Sequence, residues 1–421
     1  MGGQGQGRLI LAGSIGNILE WYDFAVYGYF APVIARLFFP GHDPALSLIA
    51  TFGIFAVGFF MRPIGALVIG HLGDVFGRRL ALTLSVGLMA VPTTLMALLP
   101  TFQTAGLLAP MLLTLLRLAQ GLSVGGEYTG SMTLLVERAP PERRGLIGSS
   151  VMASAVTGIL IGSAVGAVVE TFLTPAQIDS WGWRVPFALG LLLGLTGILL
   201  RRSLEPEEQA AVEGPADRQA LPIVVAFREH KRDIQAVIAM NVLNGVGFYM
   251  LFVYMTTYLS TVVGDRPSVA LDINTASMVV LVLALPAFAH LSDRIGRRRV
   301  ALAGIVGLVL LSYPLFWLLH SPEPLVALAG QIGFALLLGA FCGPTPAFMS
   351  ELFPRSLRCS AVSVAYNIPL AIFGGTTPMV AAWLITRTEA DLAPAFYLSG
   401  AAAVSLVAVL LTRETYRTRL A

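Results

Sequence analysis

Several stretches of this chain carry no Asp, Glu, Lys or Arg, among them 80–116, 145–169, 234–264, 300–322, 324–350, 359–386 and 392–412. In hydrocarbon each unpaired backbone N–H or C=O costs several kcal/mol, so a segment apolar for ~20 residues must close its hydrogen bonds internally, as an α-helix. The 80–116 run is too long for one crossing and divides at the polar break Pro100-Thr101-Phe102-Gln103-Thr104. The predicted spans are then 9–37, 47–72, 80–99, 105–136, 147–171, 183–200, 234–262, 270–291, 300–319, 324–350, 360–386 and 393–411. Twelve crossings need ~240 mostly apolar positions, and 56% of the 421 residues are apolar while only 12% are charged. A soluble enzyme, a disordered chain and a coiled coil are excluded. Uninterrupted runs also argue against an outer-membrane barrel, whose strands alternate in ~10-residue segments.

Lys and Arg orient the spans. With the N-terminus in the cytoplasm, 21 of the 27 basic residues fall in cytoplasmic segments. Four (Arg36, Arg184, Arg266 and Arg387) fall outside, and Arg62 and Arg117 lie within spans. Both termini are therefore expected in the cytoplasm. The asymmetry accounts for the basic pI near 9.0 without nucleic acid as a partner. The first apolar stretch reads as a retained span, not a cleaved leader. Cys342 and Cys359 both lie in or beside spans, so no disulfide framework is expected.

The chain repeats. Gly70-His71-Leu72-Gly73-Asp74-Val75-Phe76-Gly77-Arg78-Arg79 closes span two, and Ala289-His290-Leu291-Ser292-Asp293-Arg294-Ile295-Gly296-Arg297-Arg298 closes span eight. A second pair, beginning at Glu137 and Glu351, follows spans four and ten. The two offsets are similar, which predicts parallel repeats with a substrate site at mid-membrane between them. The Pro- and charge-rich segment 201–233 reads as a cytoplasmic linker, with a surface helix near 225–233. The expected organisation is an N-terminal six-helix bundle (1–200), this linker, and a C-terminal six-helix bundle (234–421).

At these residues the chain resembles the major facilitator superfamily, whose signature the loop 70–79 matches. Within it, the chain is most similar to the metabolite:proton symporters. The carriers of that likeness are Gly16-Asn17-Ile18-Leu19-Glu20-Trp21-Tyr22-Asp23-Phe24, Arg62-Pro63-Ile64-Gly65, Arg117 through Tyr128, Trp181 through Phe187, and Glu351-Leu352-Phe353-Pro354. The resemblance implies a twelve-helix, multi-pass transporter of a bacterial inner membrane. It would move a small carboxylate-bearing metabolite together with a proton and be functional as a monomer. Proline/betaine-type zwitterions are the nearest substrates in wording. Di- and tricarboxylates such as α-ketoglutarate or citrate, or a uniporter or exchanger with structural charges, remain alternatives. No C-terminal coiled coil follows Ala421, so the osmosensing type is not expected.

Ionisable groups inside a membrane are expensive and mark pathways or relays. Glu20 and Asp23 are three apart in span one and share a face with Asn17 and Tyr27. Arg117, Gln120, Glu127 and Ser131 follow helical spacing in span four. Glu20, Asp23, Arg117 and Glu127 are the proton-coupling candidates. The resemblance implies that a span-one acid and a span-four arginine, here Asp23 and Arg117, form a proton-linked pair. That leaves Arg62 as the expected partner of a substrate carboxylate. Tyr27, Gln120, Asn241, Asn244, Tyr366 and Asn367 complete the expected substrate site, and Trp21 and Tyr22 could stack on a quaternary ammonium. Static helix packing is the competing reading for each of these polar residues.

Asp74, Arg78, Asp293 and Arg297 sit at the cytoplasmic helix ends. There they would latch the two halves in the outward-open state, extended by Glu137, Arg144, Glu351 and Arg358. His71 and His290 read as packing against that latch. Gly158, Gly162 and Gly166 form a small-residue stripe for close helix approach. Span eleven should break at Tyr366-Asn367-Ile368-Pro369 and at 374–378. Trp181 and Trp183 read as interfacial anchors. No cluster has zinc spacing, and no nucleophile or phosphate loop is present. Neither an enzyme nor a cofactor is expected. The partners are a small solute, protons and the bilayer.

Overall fold

The structure is a computed structural model, describing residues 17–76, 78–123, 127–202, 227–416 and 418. Among the described residues the regular structure is helical, arranged as twelve rods in chain order. They are α1 (17–38), α2 (Pro44–Phe76), α3 (Arg78–Met96), α4 (Leu108–Arg138), α5 (Arg144–Phe172) and α6 (Arg184–Arg202), followed by α7 (Lys231–Val263), α8 (Pro267–Ile295), α9 (Arg297–Leu319), α10 (Pro324–Glu351), α11 (Leu357–Thr388) and α12 (Ala393–Leu411). Nine of them, all but α1, α3 and α6, are long and apolar enough to cross a membrane by length and composition. Their outward faces carry leucines, valines and aromatics such as Leu283, Leu310 and Trp317, as a lipid-facing surface requires.

The rods follow the charge gaps, with differences at their ends. α2 runs to Phe76, past the expected residue 72. Of the expected surface helix near 225–233, the described residues show a helical turn at 227–229, and α7 begins straight after His230. In α10 the helix Pro324–Cys342 stops at Gly343-Pro344 and restarts at Thr345. Pro344 has no N–H to donate to the turn before it.

Two rods widen instead of breaking. α11 passes through a π-helical stretch at Leu370–Gly374, directly after Pro369. α7 has two such stretches, Met250–Tyr254 and Leu259–Val263. A π turn frees carbonyls from the i→i−4 ladder. In α7, Leu251 O takes the Gln331 amide of α10 and Phe252 O takes the Tyr29 hydroxyl of α1 at 2.7 Å.

α5 and α8 make the most extensive helix–helix contact. The glycine stripe works as expected. A Cβ on Gly158 would run into the backbone carbonyl of Ile18, so α1 and α5 cross at the closest possible approach. Trp183 departs from its expected role. It is buried, with Arg184 stacked 4.3 Å from its ring centroid and Phe38 at 5.5 Å, while Trp181 is exposed.

Candidate functional site

Glu20 and Asp23 lie one turn apart on α1, yet different helices claim them. Glu20 pairs with Arg62 of α2 at 3.3 Å, both buried. The Arg62 guanidinium lies 5.6 Å from the Trp21 ring centroid and 5.2 Å from that of Phe59. Its Nε and Nη1 make no hydrogen bond.

Asp23 does not form the expected contact pair with Arg117. Its Oδ2 accepts from Gln120 Nε2 of α4 at 2.7 Å and from the Thr93 hydroxyl of α3, and Gln120 also donates to Thr93 at 2.8 Å. Oδ1 has no partner. Arg117 instead sits over the Tyr27 ring, 3.9 Å from its centroid, with Phe24 at 5.8 Å. All three of its guanidinium nitrogens are buried without a hydrogen-bond partner. Two neutral donors next to the carboxylate, and an aromatic face next to the arginine, explain the separation. Tyr27 serves that face and donates to Thr51 O at 2.9 Å, while Gln120 holds Asp23.

A narrow cavity lies between the first six and last six helices, with room for about one water. It is lined by Trp21 of α1, Met152 and Ala155 of α5, Asn244, Phe248 and Tyr249 of α7, and Tyr366 and Leu370 of α11. Trp21 has Phe248 at 6.0 Å, Tyr249 at 6.1 Å and Tyr128 at 6.2 Å, centroid to centroid, and Tyr128 stacks on Tyr366 at 4.8 Å. The Tyr249 hydroxyl is buried beside the Arg62 guanidinium. Asn244 and Tyr366 therefore stand in the cavity wall, as expected. Asn241 lies behind Asn244, accepting from its Nδ2 at 3.2 Å. Asn367 turns to its own helix, donating to Ser363 O at 2.9 Å. Tyr22 donates to Pro186 O at 2.7 Å and does not line the cavity. Tyr128, Phe248, Met152 and Thr93 were not singled out by the sequence reading. Aromatic or small polar residues inside apolar runs look the same wherever they point.

The Arg-rich end of the bundle is closed by bonds between the two sets of six helices. Both Asp293 oxygens accept from the N-terminus of α5, from Gly145 N and Leu146 N at 2.9 Å each. Within the last six helices, Arg297 reaches Asp293 at 2.6 Å and Glu351 at 3.2 Å and donates to Ser292 Oγ, so these contacts brace one side of the closure and do not themselves bridge the two sets as expected. Arg358 of α11 pairs with Glu137 of α4 at 2.6 Å. Arg144 donates to Thr418 O at 2.9 Å. Two groups the sequence reading passed over join here. Glu414 accepts from Arg297 N and Arg298 N at the start of α9, and Thr415 donates to Glu351 at 2.7 Å. The side chains of Asp74, Arg78, His71 and Glu127 lie outside the described residues.

Toward the opposite end, Tyr29 accepts from Asn274 Nδ2 at 3.0 Å. Asn274 also donates to Ser163 at 3.1 Å, and Ser163 meets Thr275 at 2.8 Å. The cavity thus has inter-half bonds on both sides.

This arrangement is a mainly aromatic chamber between the two sets of six helices, with charged closures at one end and hydroxyl–amide closures toward the other. Residues 9–207 match the sugar (and other) transporter model, and residues 237–420 match the major facilitator superfamily model. The fold is similar to the xylose transporter of E. coli in a partially occluded inward-open form, with TM-score 0.75 at 18% identity over 99% of both chains. It is likewise similar to the proton:xylose symporter bound to 6-bromo-6-deoxy-D-glucose, with TM-score 0.76, covering 99% of this chain and 97% of that one. The chain belongs to the major facilitator superfamily: it is a multi-pass membrane transporter and not an enzyme. Within that superfamily it is 35% identical to the proline/betaine transporter of Escherichia coli K12, over 97% of this chain and 83% of that protein. It is 38% identical to a putative proline/betaine transporter of Staphylococcus aureus COL, over 96% and 87%.

Proposed function

We propose that this transporter carries a small zwitterion, a betaine or proline-like solute, together with a proton across a bacterial inner membrane. All twelve rods cross the bilayer, with both termini and the Arg-rich end in the cytoplasm, and α1–α6 rock against α7–α12 as a monomer. The observation that carries the reading is the aromatic chamber of Trp21, Phe248, Tyr249 and Tyr366 with the Glu20–Arg62 pair at its edge. Aromatic faces attract a quaternary or secondary ammonium. The two spare donors of Arg62 suit one carboxylate, because a fork geometry matches a carboxylate's two oxygens. One such fork favours a monocarboxylate over α-ketoglutarate or citrate. The names of the relatives support the same class.

Asp23 is the proposed proton carrier. It is buried, one of its oxygens is bare, and no cation is in contact with it. Arg117, held only by ring faces, is free to approach when Asp23 ionises. The Asp293 cap and the Glu137–Arg358 pair, braced by the Arg297–Glu351 pair, form the cytoplasmic gate. Asp74, Arg78 and Glu127 are proposed on sequence grounds to serve the gate and the coupling site.

The deciding test is uptake into proteoliposomes. Radiolabelled glycine betaine and proline, but not citrate or α-ketoglutarate, should accumulate under an outside-acid gradient, and Trp21→Ala should lose this. Equal uptake of citrate would overturn the substrate class.

A further inference from the structure

Behind the chamber wall runs a chain of four polar groups. Cys342 Sγ of α10 donates to Asn244 Oδ1 at 3.6 Å, Asn244 Nδ2 donates to Asn241 Oδ1 at 3.2 Å, and Asn241 Nδ2 donates to Val237 O at 2.8 Å. Cys342, Asn244, Asn241 and Val237 are all buried. The direction of this relay is not arbitrary. Val237 O can only accept, so the group facing it must be the Asn241 amide nitrogen. Met349 Sδ, 3.0 Å from the same nitrogen, is also an acceptor. Asn241 Oδ1 must then face Asn244, whose nitrogen has to answer it. Asn244 Oδ1 is left facing the thiol, and a thiol has one proton to give. One backbone carbonyl therefore sets the polarity of three side chains.

We infer that Cys342 is a positioning residue for substrate recognition: its S–H holds the Asn244 amide so that Asn244 presents an N–H to the carboxylate of the bound zwitterion. An amide offers two N–H groups and two oxygen lone pairs. The relay uses one of each, and Asn244 stands in the chamber wall with one N–H uncommitted. A second observation points to a polar ligand here. Tyr249, five residues further along α7, lines the same chamber, and its hydroxyl is buried beside the Arg62 guanidinium. Asn244 thus supplies the last six helices' grip on a carboxylate whose other grip is Arg62. Without the thiol proton the amide is free to turn, and its oxygen then meets the substrate's anionic end. This inference rests on the zwitterion reading above.

The test uses the purified full chain in liposomes, with Cys342→Ala, Cys342→Ser, Asn241→Ala and the double variant Cys342→Ala/Asn241→Ala. Loss of a single orienting hydrogen bond should raise the KM for glycine betaine by about fivefold in Cys342→Ala. Maximal velocity should change little, and Cys342→Ser should restore KM because its hydroxyl also donates. Competition by choline, which has the ammonium but no carboxylate, should be the same in all variants. Both single substitutions act through one amide, so the double variant should be no worse than the worse single. Thermal melting of each variant reports folding separately. An unchanged betaine KM in Cys342→Ala would overturn the inference, as would parallel losses for betaine and choline, or failure of serine to rescue. A wild-type protein that transports neither betaine nor proline would instead remove the substrate reading itself, and this inference with it.

Discussion

Arg62 spends one nitrogen on Glu20 and keeps two in reserve, whereas Arg117 spends none. Residue types alone suggested a simpler division, with Arg117 committed to Asp23. The sequence shows that an acid and an arginine share a depth range, but not that Thr93 and Gln120 stand closer to the acid than the arginine does. Two expectations follow for single residues. Arg62→Lys should weaken zwitterion binding by at least about tenfold, since lysine lacks the planar fork. Arg62→Ala should abolish binding, which equilibrium binding on folded protein would reveal; wild-type affinity there would end its role as anchor. Asp23→Asn should abolish accumulation against a gradient while exchange between preloaded vesicles persists. Full accumulation in that variant would remove Asp23 as the coupling group.

At the level of elements, the helices were legible because charge-free runs leave a buried chain one way to satisfy its backbone. The π stretches of α7 were not. Met250–Tyr254 contains neither Gly nor Pro, and the partners that stabilise its freed carbonyls, Tyr29 and Gln331, come from 223 and 80 residues away. The latch was half legible. The repeated Asp and Arg pointed to the right ends, but a carboxylate capping another helix's N-terminus depends on how the helices dock. That cap is testable. Asp293→Ala strips two bonds from the start of α5, a loss on the scale of ~1–2 kcal/mol for an N-cap. The inward-open population should rise by roughly 5–30-fold, seen as greater labelling of single cysteines placed in the cytoplasmic cavity. Gly145→Val should act likewise, because its Cβ would stand 2.5 Å from Arg297 Nη1 and 2.7 Å from Ala289 O. Unchanged labelling in both variants, with folding intact, would return these contacts to simple packing.

For the whole molecule, bonds join the two sets of helices on both sides of the chamber. A solute bound between them stabilises the folded protein. At a concentration of 100 Kd, linkage gives about 2.7 kcal/mol. Glycine betaine should raise the melting temperature of purified protein at such concentrations, and citrate should not. A citrate-specific shift would contradict the zwitterion reading. Proton coupling has its own signature at this scale. Collapsing the gradient with a protonophore should reduce accumulation to equilibration without slowing exchange, and accumulation that survives it would argue for a uniporter.

The segment after α12 is tied into the gate. Glu414 holds the start of α9, Thr415 holds Glu351, and the carbonyl of Thr418 holds Arg144 from the other set of helices. Opening of the Arg-rich end would peel this strap from at least one side, which couples its position to that motion. A fluorophore attached just beyond it would therefore act as a built-in reporter, brightening or dimming with each opening. An affinity tag fused there is correspondingly poorly placed, because tension on it pulls directly on the gate.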